Sequence, residues 1–148
     1  MTTIKVYNTL NRPTEIEKGK MVKFLHEHLG EYGDPESDIR KAINYSVKEF
    51  ASFGGFTATI SENDILKGVV VVNATGMSGY IPENILVYIA IHGNHRGEGL
   101  GKKLMETVIS HAKGDIALHV EANNPAKRLY EKFEFTNPYL EMRLKRKT

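Results

Sequence analysis

Three glycines in alternate positions, Gly97, Gly99 and Gly101, stand between an apolar run and an amphipathic one. Bare backbone at the start of a helix can approach an anion, because first-turn amides have no partner within the helix and the helix dipole favours negative charge there. The spacing therefore fits a phosphate site, and it fits equally a tight strand-to-helix connection that needs glycine for its shape. A dinucleotide fingerprint is excluded, because Lys102 stands where its last glycine should be. A nucleoside-triphosphate loop is excluded too, because Gly101-Lys102 is followed by Lys103 rather than serine or threonine. Cysteine is absent, which removes disulfides, thiolate metal sites and cysteine nucleophiles. Among the six histidines, His26 and His28 diverge on a helix and His92 with His95 lacks a third ligand nearby, so no metal is expected.

The elements that must carry this loop can be read from periodicity. Residues 85–91 are apolar on both faces, which suits a buried central strand. After the loop, Leu104, Met105, Val108, Ile109 and Ala112 line one face of a helix, with Lys102, Lys103, Glu106, Ser110 and Lys113 largely away from it. Gly114-Asp115 turns the chain into a strand at 116–120, completing a β-α-β unit. Asn123-Asn124-Pro125 has the form of a helix start, with the helix at 126–133. Two short strands are expected within 135–145, divided around Asn137-Pro138. Upstream, a short strand at 4–8 precedes a break at Pro13-Thr14 and a helix over 16–29. Gly30, Gly33 and Pro35 end it, and a second helix follows with Ile39, Ala42, Ile43, Val47 and Phe50 on its apolar side, Ser37 as cap and Gly54-Gly55 as stop. Strand-like runs at 56–60 and 65–74 are separated by the hairpin signal Glu62-Asn63-Asp64, and 75–84 is a loop.

A chain of 148 residues with 41% apolar and 26% charged residues has the size and balance of one globular domain, expected to span residues 1–148. No run reaches the roughly 18 apolar residues of a spanning helix, and the start lacks a secretory signal, so a cytoplasmic protein without membrane partners is expected. The net charge of +2 argues little about partners. Much of the excess sits in Arg143, Lys145, Arg146 and Lys147, and without an aromatic platform this tail does not point to nucleic acid.

The segment Arg96-Gly97-Glu98-Gly99-Leu100-Gly101 resembles the pyrophosphate loop of the GNAT acetyltransferase superfamily, Gln/Arg-x-x-Gly-x-Gly/Ala. Residues 123–135, Asn-Asn-Pro-Ala-Lys-Arg-Leu-Tyr-Glu-Lys-Phe-Glu-Phe, resemble the superfamily stretch Asn-x-x-Ala-x-x-Leu-Tyr-x-Lys-x-Gly-Phe, with Glu134 where glycine is usual. The close match covers about 85–135, while the N-terminal region agrees in its order of strand, two helices and hairpin. The resemblance implies an α/β (α+β) fold with a mixed, mainly antiparallel sheet flanked by helices. It implies acetyl-CoA as acyl donor, held by the amides of Gly97, Glu98, Gly99, Leu100, Gly101 and Lys102 behind Arg96, by the backbone of Ile89, Ala90 and Ile91 along the pantetheine arm, and by Asn123. It further implies direct attack of a primary amine on the thioester. The acceptor would lie between the first two helices, around Glu31, Tyr32, Asp34, Glu36 and Asp38, and the loop carrying Met77, Tyr80 and Glu83. A homodimer is compatible with this reading.

Such a transfer poses two proton problems. An amine of pKa about 10.4 is neutral in only about one molecule in two thousand at pH 7, a penalty of roughly 4 to 5 kcal/mol, and the thiolate leaving group must gain a proton. A phenol suits the second task, and Tyr130, seven residues and about two turns after Asn123, is matched to it by the resemblance; packing beside Leu129 and Phe133 is the other reading. Many relatives carry a carboxylate in the strand before the loop, where this chain has Val87 and Tyr88. Glu83, acting through water, and His92 are then the expected bases. The missing strand carboxylate also keeps open a rival reading, a CoA-binding regulatory domain without catalysis.

Overall fold

The computed structural model describes residues 1–146, so Lys147 of the basic tail lies outside the described residues. They divide into two compact units, Met1–Leu118 and the segment from His119 onward.

The first unit is a sheet in the order β1-β2-β3-β4-β5, formed by β1 (Thr2–Tyr7), β2 (Gly55–Glu62), β3 (Ile65–Ala74), β4 (Asn84–Ile91) and β5 (Ile116–Ala117). The first three pairings are antiparallel and β4 with β5 is parallel, the mixed, mainly antiparallel sheet that was expected. The hairpin between β2 and β3 turns on Asn63 and Asp64, both with positive φ. These residue types tolerate that conformation best after glycine, and the mirror-image turn they make matches the twist of the strands.

Helices α1 (Glu15–Leu29) and α2 (Glu36–Ser46) lie between β1 and β2 in sequence. Thr14 caps α1 through a reciprocal pair: its hydroxyl accepts from the Glu17 amide at 3.1 Å and the Glu17 carboxylate accepts from the Thr14 amide at 2.8 Å. Met21, Val22, Phe24 and Leu25 of α1 join Ile39 and Ile43 of α2 in one core with Val69 and Val71 of β3 and Tyr88 and Ala90 of β4. Strand alternation sends the neighbouring residues to the other face, where a Cβ on Gly68 would meet Leu104 of α3 (Leu100–His111) at 2.9 Å. Two helices thus cover one face and α3 the other.

Several sequence expectations are corrected. Pro35, not Ser37, occupies the N-cap of α2, with no side-chain cap. That helix stops at Ser46, and Lys48 turns the chain at φ +59, so Phe50 is exposed rather than on the apolar stripe. On α3, Leu104, Met105 and Val108 are fully buried, but Ile109 is exposed and Ala112 lies past the helix end. The strand expected at 116–120 shrinks to Ile116–Ala117, because β4 offers it only two partners. In the second unit, helix α4 (Lys127–Lys132) forms as expected, whereas no strand forms among the described residues of 135–145. Tyr139, Leu140, Met142 and Leu144 there are exposed. Among the described residues no helix is long and apolar enough to cross a membrane.

Candidate functional site

Beyond Ile91 the His92 amide donates to the Lys67 carbonyl at 2.8 Å, and a 3-10 turn at Gly93–His95 leads into the glycine loop. Gly97 and Gly99 have φ of +85° and +84°, the left-handed region that a side chain disfavours. Gly99 is the N-cap of α3, and no side chain caps that helix. Its first turn carries no acidic residue, so the positive end is not neutralised from within the helix. Leu100, 3% exposed, and Leu104 pin the helix start to the sheet. A left-handed glycine loop at a helix start without a side-chain cap is a geometry suited to a phosphate or pyrophosphate group.

The loop is braced from α1. Arg96 donates from its guanidinium to the His28 carbonyl at 2.8 Å, and the Gly93 amide donates to His28 Nδ1 at 3.2 Å. The rings of Phe24, His28, His92 and His95 form a chain, with centroids 4.5, 4.4 and 5.3 Å apart. Burial pushes the His28 imidazole below its ordinary value, against a raising influence of Glu27 and with help from the nearby His92 and Arg96. His92 Nδ1 accepts from the Asn94 amide at 3.1 Å. His95 Nδ1 lies 3.1 Å from Glu98 Oε1 and its Nε2 lies 2.8 Å from the Lys67 amine. The ligand atoms of Glu62, His95 and Glu98 fall within 4.8 Å of one another, which corrects the expectation that His95 lacks further ligands near it. The Lys67 amine already supplies a cationic partner to this group.

At the opposite end of β4, polar side chains are fully engaged. Glu83 accepts from the Asp115 amide at 2.7 Å through one carboxylate oxygen and from the Gly79 amide at 3.2 Å through the other. These backbone bonds, that from Asp115 foremost, hold its carboxyl below the usual glutamate range. The Asn84 side-chain amide donates to the Lys113 and Asp115 carbonyls at 2.7 and 3.2 Å. A Cβ at Gly114 would meet the Glu83 carboxylate at 2.5 Å, so the turn after α3 is closed around that side chain. Beyond Asn84 and Ile85 the ladder with β5 ends.

Sequence reasoning missed what stands at the two positions lacking the strand carboxylate. The register of β3 with β4 passes from Val71↔Tyr88 to Val72↔Leu86, leaving Val87 as a bulge. Adjacent residues of a regular strand face opposite sides, yet Tyr88 belongs to the core under α1 and α2 and Val87 packs against the same core. Buried Tyr88 donates its hydroxyl to Asp34 Oδ2 at 2.5 Å, reaching the connection between α1 and α2. Burial first, then the hydrogen bond and charge of Asp34, raise the Tyr88 phenol far above its ordinary range. Asp34 itself is exposed.

In the second unit, Asn124 Oδ1 accepts from the Ala126 amide at 2.9 Å at the head of α4. Tyr130 is 7% exposed, and its ring lies 5.9 Å from that of Phe135. Burial, then the charge of Glu121, pushes its phenol up to about 12. Asn123 and Asn124 line an open groove with Lys127, Arg128 and Glu131. Glu134, standing where glycine is usual in the motif, adopts φ +69° at the end of α4, the conformation that explains the glycine preference.

A domain model described as an acetyltransferase (GNAT) domain matches residues 54–137. Among solved structures, an acetyltransferase described as a GNAT family protein from Streptococcus pneumoniae TIGR4 is similar over 99% of this chain and 100% of its own, with 14% identity and a TM-score of 0.71. The ribosomal-protein-S18-alanine N-acetyltransferase of Escherichia coli is similar over 94% of this chain and 80% of its own, at 16% identity and a TM-score of 0.68. A NatC complex bound to Gag peptide and CoA contains a chain similar over 89% of this one and 82% of its own, at 21% identity and a TM-score of 0.65. At these identities the likeness is one of fold.

Proposed function

The chain belongs to the GNAT acetyltransferase family, and from that premise we propose that it moves the acetyl group of acetyl-CoA to a primary amine, as one domain over residues 1–148. The observation that carries this reading is the glycine loop at the uncapped start of α3, directly after a strand whose ladder with β5 stops at its second residue. Gly97, Glu98, Gly99, Leu100, Gly101 and Lys102 supply amides to the pyrophosphate, and Arg96, anchored on α1, fixes the loop's path. Past Ile85, the backbone of Ile89, Ala90 and Ile91 is the rail for the pantetheine arm, whose amides can pair with a strand as another strand would. The family motif assigns Asn123 a cofactor hydrogen bond. Solved relatives that carry CoA or act on a ribosomal-protein alanine support the donor and the amine class. A cytoplasmic setting, where acetyl-CoA is met, fits the same reading.

The reaction is direct. The amine nitrogen attacks the thioester carbonyl carbon, the carbon–sulfur bond breaks, and the thiolate takes a proton. Tyr130 is the proposed donor: a phenol pushed up to about 12 stays protonated at neutral pH, so its hydroxyl is ready to donate to sulfur. Calorimetric titration with CoA, followed by mass spectrometry of an amine library incubated with protein and acetyl-CoA, tests the reading. Binding plus an acetylated product is expected; absence of CoA binding would sink it.

A further inference from the structure

An acetyl transfer needs somewhere for the amine's proton to go, and the two side chains expected for that task are held otherwise. Both carboxylate oxygens of Glu83 accept backbone amides, which stabilise the ionised form and weaken it as a base. His92 accepts from the Asn94 amide through Nδ1, its ring held between those of His28 and His95.

Tyr88, beside the bulge at Val87, supplies an alternative. It lies with Ala90 on the face of β4 toward α1 and α2, immediately before Ile89, the first residue proposed to pair with the cofactor. The Tyr88 ring is buried, and its hydroxyl ends on a carboxylate that is exposed. A phenol oxygen that donates to a carboxylate is a better acceptor for a second donor, because hydrogen bonds in series polarise one another. Tyr88 and Asp34 are thus joined by one short hydrogen bond that leads from a buried ring to an exposed carboxylate.

We propose that Tyr88 and Asp34 form the route by which the attacking amine loses its proton, Tyr88 touching the substrate and Asp34 receiving the proton through it; this rests on the acetyltransferase reading above. Before attack, one proton of the ammonium passes to the Tyr88 oxygen while the Tyr88 proton passes to Asp34, leaving the nitrogen neutral and nucleophilic. The phenol is neutral before and after, in keeping with a phenol too weakly acidic to act as phenolate. The neutral nitrogen then bonds to the carbonyl carbon, the carbon–sulfur bond breaks with its electron pair on sulfur, and sulfur takes its proton from the general acid; the second proton leaving nitrogen restores that acid through water, and Asp34 returns its own proton to water. A carboxylate brought from the α1–α2 connection thereby stands in for the one absent from β4. Asp38 also acts on the Tyr88 phenol, and Glu31 and Glu36 are exposed nearby in sequence, so a loss of charge alone must be controlled for.

The test compares the unaltered chain, Asp34→Asn, Tyr88→Phe and, as a charge control on the exposed side of α3, Glu106→Gln. Acetyl-CoA is the donor, and the acceptors are an alanine-initiated peptide, a lysine-containing peptide and a diamine. At pH 7 the Asp34 and Tyr88 variants should turn over about a hundredfold more slowly, the low end of general acid–base effects. The deficit should narrow as pH rises toward the amine's own pKa, where neutral amine no longer needs the route. CoA affinity by calorimetry should be unchanged in all four, and Glu106→Gln should match the unaltered chain. A deficit constant across pH would assign the pair a packing role and overturn the proposal, as would full activity of Asp34→Asn. Transfer by the unaltered chain alongside either result would leave the acetyltransferase reading standing; no transfer to any of the three acceptors would overturn both.

Discussion

At the N-terminal end of β4, Glu83 just before the strand and Asn84 at its start have side chains tied to Gly79, Lys113 and Asp115; at its C-terminal end the strand leads to a loop of left-handed glycines and a helix start that no side chain caps. The first end is held by polar side chains. The second has little side chain and much spare backbone. Residue type is thus a poor guide to chemistry here: the glutamate braces a turn, and the glycines are the proposed binding group.

Gly101→Asp should break the contrast most severely. A side chain and a negative charge placed in the first turn of α3 oppose a pyrophosphate directly, and CoA affinity should fall more than about a hundredfold, near 3 kcal/mol, in a protein that still folds. Calorimetry on the variant reads this, and unchanged affinity would make the loop merely a connector. Tyr130→Phe should leave CoA affinity alone and slow turnover about tenfold to a hundredfold, since a thiolate of pKa near 8.5 leaves with modest help. A smaller loss on a verified amine would reduce Tyr130 to packing beside Phe135.

The other end should respond in stability rather than binding. Asn84 is 7% exposed with two side-chain bonds to carbonyls, so Asn84→Ala should cost about 1–3 kcal/mol and lower the melting temperature. Glu83→Gln sharpens the point through pH. Because the folded carboxyl titrates below its ordinary value of 4.5, its contribution is complete above that value and is lost as pH falls through the lowered one. Melting curves of the variant and the unaltered chain should differ near neutrality and converge in acid, while their pH–rate profiles superimpose. A variant profile that climbs with pH would restore Glu83 as the base.

The smallest effect lies in the loop's brace. Neutral His28 accepts the Gly93 amide, and burial depresses its pKa, so the contact is intact above the ordinary histidine value near 6.5 and is lost as pH falls through the depressed one. Hydrogen exchange at Gly93, corrected for intrinsic rate, should quicken on acidification, and His28→Ala should abolish that pH dependence.

Much of this was legible in residue order. The hairpin at Asn63-Asp64, α1, the buried β4 and the loop before α3 all follow from local preferences that their neighbours reinforce. What could not be read depends on partners far along the chain. Nothing near Glu83 announces that Asp115 will hold it, nothing in Tyr88 names Asp34, and the shortening of β5 reflects where β4 stops pairing rather than any signal in 116–120. The alternation in 139–144 looks like a strand, yet alternation makes a strand only where an edge is offered. Glu134 was visible as a departure, and its backbone angle gives the departure a meaning.

The strand order has a consequence for how the chain acquires its shape. β2, β3 and β4 follow one another in sequence and in the sheet, and the turn at Asn63-Asp64 brings Glu62 against Ile65 at once. Strand β1 must wait: Tyr7 meets Thr57 only across both intervening helices, and closing so long a loop loses entropy before any ladder bond repays it. On contact order, the β2–β4 meander is expected to form before β1 docks, so the sheet edge farthest from the glycine loop is the one expected to close late.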